Sequence, residues 1–175
     1  MDILKEIEGI NKSKSMQDVE LVELFETSKK SKGVILELGS FRGVSTIVMA
    51  KATNRKVIAV DPFIAHGTIS QNKQNFLNNI KRFEVENQIE LIEDFSKNFN
   101  IKGPLGLLLI DAEHTYEGVK HDYNKFAPLV EDGGYIVMHD FHLPGIKKFF
   151  DEEIWKDIKK FREFRIIKSL IVIRK

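Results

Sequence analysis

Four residues of this chain carry the side chains best suited to chemistry: Asp111, His114, His139 and Asp140. Asp111 follows the apolar run Leu105–Ile110, and His139-Asp140 follows a second apolar run at 135–138. In an open α/β sheet the ligand crevice lies beyond the carboxyl ends of the strands, so these groups are expected to converge there. Two carboxylates and an imidazole, here Asp111, Asp140 and His139, form a ligand set for a hard divalent ion, Mg2+ or Mn2+, that lowers the pKa of a bound hydroxyl. A plainer use is open to the same residues, with Asp111 lining a ligand site and His139-Asp140 making turn hydrogen bonds.

A second constellation lies upstream. The segment Glu37-Leu38-Gly39-Ser40-Phe41-Arg42-Gly43-Val44-Ser45-Thr46 ends one apolar run and enters a helical stretch. Glycine there lets the backbone turn tightly and approach a ligand, and free N–H groups at a helix start favour an anionic group. The next apolar run ends at Asp61, 22 residues beyond Gly39, the spacing at which an acidic side chain accepts hydrogen bonds from ribose hydroxyls. Each feature alone is ordinary turn chemistry, Asp61-Pro62 included; in register they make a cradle with an acidic partner. A dinucleotide and S-adenosylmethionine (SAM) both bring an adenosine to such a site. Pyrophosphate binding wants Gly-x-Gly-x-x-Gly, whereas Ser40, Phe41 and Arg42 fill the space between Gly39 and Gly43, which favours SAM.

The elements that must position these residues follow from hydrophobic pattern. Ile3, Ile7 and Ile10 recur at helical spacing, and a second helical stretch at 19–25 carries Leu21, Val22 and Phe25 on its apolar side. Short apolar runs then alternate with amphipathic stretches. Strands are expected at 34–38, 57–60, 89–92, 105–110 and 135–138, and helices at 44–52, 71–86, 116–130 and 146–158, with a short turn at 95–99. Strand-like runs at 161–167 and 170–174 are separated by Lys168 and Ser169 alone, which forces an antiparallel hairpin. The expected fold class is α/β: a Rossmann-like seven-stranded sheet, five parallel strands followed by the terminal hairpin, with helices on both faces. Phe149, Phe150, Ile154 and Ile158 read as a packing stripe rather than a substrate platform.

These motifs, in this order, resemble class I SAM-dependent O-methyltransferases, particularly the small catechol-type branch and its sugar- and antibiotic-modifying relatives. The resemblance covers residues 34–175 and rests on Glu37-Leu38-Gly39 through Gly43-Val44-Ser45, on Val57-Ile58-Ala59-Val60-Asp61, on Ile110-Asp111-Ala112-Glu113-His114-Thr115-Tyr116-Glu117-Gly118, and on Gly133-Gly134-Tyr135-Ile136-Val137-Met138-His139-Asp140. It implies that Glu37, Gly39, Phe41 and Ser45 surround the methionine part of SAM, with Ser40 and Gly43 in the same loop. Asp61, followed by Pro62 and Phe63, would hold the ribose; Asp94, Phe95 and Ser96 would edge the adenine; Asp111 would border the cofactor. It also places His114 where the catechol branch has a lysine base, and an imidazole with an ordinary pKa of about 6.5 suits that task. Catechol-type enzymes carry an amide metal ligand directly after the second aspartate. Phe141 stands there in this chain and cannot coordinate; some relatives instead carry the extra ligand one residue before the second aspartate, and that resemblance would assign the role to His139. His142 could reach a substrate or be simply solvated, His121 reads as surface, and His66 belongs to a polar loop, 65–70, that could border the cofactor.

Composition bounds the rest. At 175 residues, with 42% hydrophobic and 30% charged, the chain is expected to form a single domain. A formal net charge of +1 gives no global field to gather nucleic acid, although residues 147–175 hold ten Lys or Arg against five Asp or Glu. With no cysteine there is no disulfide, thiolate metal site or cysteine nucleophile. The N-terminus is charged where a signal peptide is apolar, and no apolar run is long enough to span a bilayer, so the expectation is a cytoplasmic protein without membrane partners. The expected partner is a small-molecule methyl acceptor. Residues 1–30 would serve as its lid, or a second subunit of a homodimer would close the site.

Overall fold

A computed structural model describes residues 2–13, 15–65, 68–69 and 71–175. Helices α1 (Ile3–Glu6) and α2 (Asp18–Lys30) precede β1 (Val34–Leu38), α3 (Val44–Ala52) and β2 (Val57–Val60). A small hairpin, β3 (Ile64–Ala65) and β4 (Thr68–Ile69), leads into α4 (Asn72–Arg82) and β5 (Ile89–Ile92). Then come β6 (Leu105–Ile110), α5 (Tyr116–Phe126), β7 (Val130–Met138), α6 (Pro144–Phe149), β8 (Glu163–Ile167) and β9 (Leu170–Arg174).

Seven strands form one sheet in the order β5-β2-β1-β6-β7-β9-β8. The first five are mutually parallel; β9 runs antiparallel to β8, as the two-residue connection requires, and also pairs antiparallel with β7. Strands covered on both faces should be apolar throughout, and β6 is buried at every position. Alternation along the strands divides the core. Ile35, Leu107, Leu109, Val137 and Val172 pack with α2, α3 and α4, whereas Leu36, Leu108, Ile110, Ile136 and Ile171 pack with α5 and α6.

The departures from the expected boundaries have local causes. Helix α4 stops at Arg82 rather than 86, because Glu84 takes φ 55° and Val85 N turns back to Ile80 O at 3.0 Å. Helix α5 ends at Phe126 because Pro128 converts its last turn to a 3-10 segment, Ala127–Leu129. Strand β7 begins at Val130, ahead of its apolar run, and a register shift against β6 accommodates the polar stretch that follows. The segment expected as one helix at 146–158 passes through a π-turn, Phe150–Ile154, and a 3-10 segment, Trp155–Lys160. In it Phe149 and Phe150 are buried as expected, but Trp155 is 54% exposed. The hairpin β3–β4 was too short to register as a hydrophobic pattern.

Strand β6 passes so close to the entry of β1 that a Cβ at Gly106 would lie 1.2 Å from Lys32 O. Gly106→Ala must therefore displace backbone in the centre of the sheet. The expected cost is about 3 kcal/mol or more, read as a lower midpoint of urea unfolding.

Candidate functional site

The carboxyl ends of the central strands open on a cavity of about 950 Å3. It lies where the chain, having laid β2 and β5 on one side of β1, crosses to lay β6 and β7 on the other, the switch point at which α/β sheets bind ligands. Gly39 permits a close crossing. It takes φ +87°, and a Cβ there would sit 2.1 Å from Asp111 O, while Asp111 N donates to Leu38 O at 2.8 Å.

The loop after β1 and the acid after β2 are bonded to each other. Asp61 Oδ2 accepts from Ser40 N and Phe41 N, both at 2.8 Å, and Oδ1 accepts from Phe63 N at 2.6 Å. Two loop N–H groups that the sequence left free for an anionic ligand are thus committed to Asp61, because the carboxylate lies within their reach across the parallel strand pair. Phe41 (φ 48°), Phe63 (φ 52°) and Asp140 (φ 58°) all line the cavity at positive φ. Such backbone costs about 1–3 kcal/mol per residue, and the charge-assisted bonds from Asp61 offset it at both phenylalanines.

Thirteen of the expected residues line the cavity: Gly39, Ser40, Phe41, Ser45, Asp61, Pro62, Phe63, Phe95, Ser96, Asp111, His114, His139 and Asp140. Glu37, Gly43 and Asp94 do not. Glu37 is fully buried behind the loop, where its carboxylate accepts from Ser40 Oγ at 2.8 Å, Ser45 Oγ at 2.5 Å and Thr46 Oγ1. Burial pushes its carboxyl up to about 7 against the pull of these three hydroxyls. Gly43 (φ +83°) is the N-cap of α3 and faces the Phe76 ring. Asp94 closes the turn after β5, accepting from Phe95 N at 2.7 Å and Asn98 Nδ2 at 2.8 Å.

The acid and imidazole groups do converge. Asp111 Oδ1 lies 3.2 Å from His139 Nδ1 and 3.4 Å from His114 Nε2. Asp140 Oδ2 lies 3.4 Å from His114 Nε2, and its Oδ1 lies 3.5 Å from His139 Nδ1. Ligand atoms of Asp111, His139 and Asp140 all fall within 4.8 Å of one another. The hydrogen bond with Asp111 holds His114 above the ordinary imidazole range. Burial works to lower His139, but Asp111, Asp140 and Glu20 outweigh it and push the ring up to about 9. Burial likewise works to raise Asp111, and its two histidine partners hold it below the usual carboxylate range.

His139 Nε2 faces away from the cavity, 3.2 Å from Ser169 Oγ and 3.4 Å from Glu20 Oε2. The connectivity Ser169–His139–Asp111 matches that of a serine nucleophile with its base and orienting acid. Ser169 does not line the cavity, however, and its hydroxyl is engaged with Glu20 Oε1 at 2.6 Å, so it has no route to a substrate.

The remaining histidines separate. His142 stays off the cavity lining with Nδ1 3.9 Å from Asp140 Oδ1, and His66 lies outside the described residues. His121 is exposed, as read, and its position on the cavity wall was missed; its Nδ1 lies 3.2 Å from Asp122 Oδ1. Glu113 and Glu117 were also missed. For Glu117 and His121 the signal was available: positions 117, 118, 121 and 122 fall on one face of α5. Of the leading segment, Ser15 alone among the described residues reaches the cavity, since Leu21, Leu24 and Phe25 of α2 are built into the core.

The profile of a methyltransferase domain family matches residues 36–141. The chain belongs to this family of methyltransferase domains. The methyltransferase-family chain superposes on the O-methyltransferase NovP with a TM-score of 0.73, at 17% identity over 92% of this chain and 82% of NovP. It superposes on the O-methyltransferase TomG of Streptomyces achromogenes, solved with SAM, with a TM-score of 0.68, at 10% identity over 100% of this chain and 90% of TomG. The four motifs therefore sit on the class I SAM-dependent methyltransferase fold that they implied. An uncharacterized protein of Acanthamoeba polyphaga mimivirus, R132, is 29% identical over 131 residues, or 69% of this chain. The chain spans 57% of that protein's length. Among the described residues, no helix is long and apolar enough to cross a membrane.

Glu37 generates a prediction of defined sign. Its folded pKa, about 7, lies above the unfolded value of 4.5, so its neutral form favours the folded state. That contribution is complete below pH 4.5 and is lost as pH rises towards 7. Urea unfolding of the parent and of Glu37→Gln, compared from pH 4.5 to 7.5, should show the parent losing on the order of 3 kcal/mol relative to the variant.

Proposed function

We propose that this chain transfers a methyl group from SAM to a hydroxyl of a small molecule such as a sugar, a phenol or another natural product. The observation that carries the reading is the cluster of Asp111, His114 and Asp140 in the same cavity as the Gly39 loop and Asp61. Methyl transfer from a sulfonium is an in-line displacement, which needs donor and acceptor aligned and the acceptor hydroxyl deprotonated. Gly39, Ser40, Phe41 and Ser45 hold the methionine part of SAM, Asp61 the ribose, and Phe95 with Ser96 the adenine. His114, in its neutral form, takes the proton of the acceptor hydroxyl, and because its contacts with Asp111 and Asp140 hold the ring above the ordinary imidazole range, turnover rises with pH through that raised value. The O-methyltransferases NovP and TomG, with the same fold, support oxygen as the acceptor atom.

The residues present also fit a divalent ion. The outward side of the His139 ring is closed by Glu20 and Ser169, and Nδ1 is turned towards Asp111 and Asp140. Asp111, Asp140 and His139 Nδ1 would hold Mg2+ or Mn2+, which when bound lowers the acceptor hydroxyl's pKa and anchors the resulting anion. Phe141 takes no part and instead packs edge-on against Phe150 at 5.3 Å. One observation favours a second reading, methyl transfer without metal: a charged His139 between Asp111 and Asp140 already supplies a positive group at this place.

Calorimetric titration with S-adenosylhomocysteine, with and without Mg2+, followed by methyl transfer from labelled SAM to a panel of phenols and sugars, tests these readings. The parent is expected to bind the cofactor product and to methylate at least one hydroxyl. His114→Asn should keep the binding and lose about 10²- to 10⁴-fold in turnover. No binding by the parent under either condition would remove the cofactor reading; undiminished turnover in EDTA would leave the metal-free one.

A further inference from the structure

Helix α2 belongs to the leading segment, outside the shared motifs, yet one of its side chains meets His139 from behind the cavity wall. Glu20 is fully buried, although it is a carboxylate from the first turn of a helix. Its oxygens have four partners. Oε2 accepts from Gln17 N at 2.7 Å, closing a capping box, and Oε1 accepts from Ser169 N at 2.8 Å and Ser169 Oγ at 2.6 Å. Oε2 also faces His139 Nε2 at 3.4 Å.

Proton accounting around Nε2 then leaves one arrangement. The Ser169 hydroxyl gives its hydrogen to Glu20, so its oxygen offers Nε2 only lone pairs. Both Glu20 oxygens already accept, Oε2 from Gln17 N and Oε1 from Ser169 N and Oγ, a donor set that holds the group as the carboxylate. An ionised Glu20 has no hydrogen to give. Both neighbours of Nε2 are acceptors, and Nε2 must carry the hydrogen. In the neutral ring that leaves the lone pair on Nδ1, the atom turned towards Asp111 and Asp140.

We propose that Glu20 is a positioning residue for His139: by accepting from Nε2, and by holding the Ser169 hydroxyl so that it cannot donate there, it fixes the ring with Nδ1 presented to the cavity as a cation ligand. This rests on the metal form of the proposed function. It also gives α2 a purpose beyond packing, since the same carboxylate caps the helix, ties down the β8–β9 turn and sets the ring. A metal-bound histidine is commonly oriented by a carboxylate on its far nitrogen, and loss of that partner costs about 10- to 100-fold in metal affinity.

The test uses the full chain and the variant Glu20→Leu, which keeps the volume apolar and removes the acceptor. Ser169, released, is expected to donate to Nε2 across the 3.2 Å contact, which moves the ring hydrogen to Nδ1. Mn2+ titration followed by water-proton relaxation should show affinity about 10- to 100-fold weaker than in the parent. S-adenosylhomocysteine affinity in EDTA should be retained. Nitrogen-15 spectra of His139 should place the hydrogen on Nε2 in the Mg2+-loaded parent and on Nδ1 in Glu20→Leu, a change that a purely structural role for Glu20 would not produce. If Glu20→Leu does not fold, Glu20→Gln carries the same two measurements, with a smaller loss because one amide orientation keeps an acceptor towards Nε2. Unchanged Mn2+ affinity and an unchanged His139 tautomer in the folded variant would overturn the proposal. A parent that binds S-adenosylhomocysteine but no Mn2+ would overturn it together with the metal reading, leaving the cofactor reading intact; a parent that binds neither removes all three.

Discussion

The peptide of Asp111 lies against the peptide of Gly39: Asp111 N donates to Leu38 O, and any side chain at residue 39 would collide with Asp111 O. This contact joins the two halves of the sheet at the point where strand order reverses, and everything of chemical interest is arranged around it. On one side the turn continues through Ser40 and Phe41, which hang from Asp61; on the other, Asp111 places its carboxylate between His114 and His139. A Cβ at position 39 would push these two groups apart. The sheet thus fixes the relative position of these groups through backbone packing rather than through mobile side chains.

Around this contact the polar groups fall into three layers with different jobs. Farthest from the cavity are buried carboxylates that face no ligand, Glu37 behind the glycine loop and Glu20 behind His139. Each is satisfied by hydroxyls and N–H groups, as a buried carboxylate must be to avoid a desolvation cost of several kcal/mol. Next come groups that touch both scaffold and cavity, Asp61 and His139, each with one face bonded inward. Nearest the open space are Asp111, His114 and Asp140, whose side chains face one another and the histidines His139 and His142. Freedom increases towards the reacting centre, where a ligand has to compete for the same atoms.

Strain is distributed in the same way. Phe41, Phe63 and Asp140 hold left-handed backbone on the cavity wall, at positions where glycine would be the easier choice. The bonds that Phe41 N and Phe63 N donate to Asp61 explain how two of the three persist. The side chains retained by this arrangement give the cavity aromatic lining residues, Phe41 and Phe63, in addition to its acidic cluster.

Apolar periodicity and glycine spacing alone determined the seven strands, their parallel-then-antiparallel course and the ends at which chemistry would gather, because burial on both faces leaves a parallel strand no other composition. The pairing of Gly39 with Asp61, and of Asp111 with His139-Asp140, was legible for the same reason: residues just past neighbouring parallel strands must meet. Tertiary structure decided what no spacing encodes. Glu37 and Asp94 had the chemistry of ligand contacts yet turn to the loop backbone and hydroxyls; His121 and Asp122 came to the wall once α5 took its rotation; and Glu20, 119 residues from His139, met it only because α2 docks beside the terminal hairpin. Sequence specifies which groups can bond, but a hydrogen bond acts over about 3 Å, and only packing selects which candidates come within that distance.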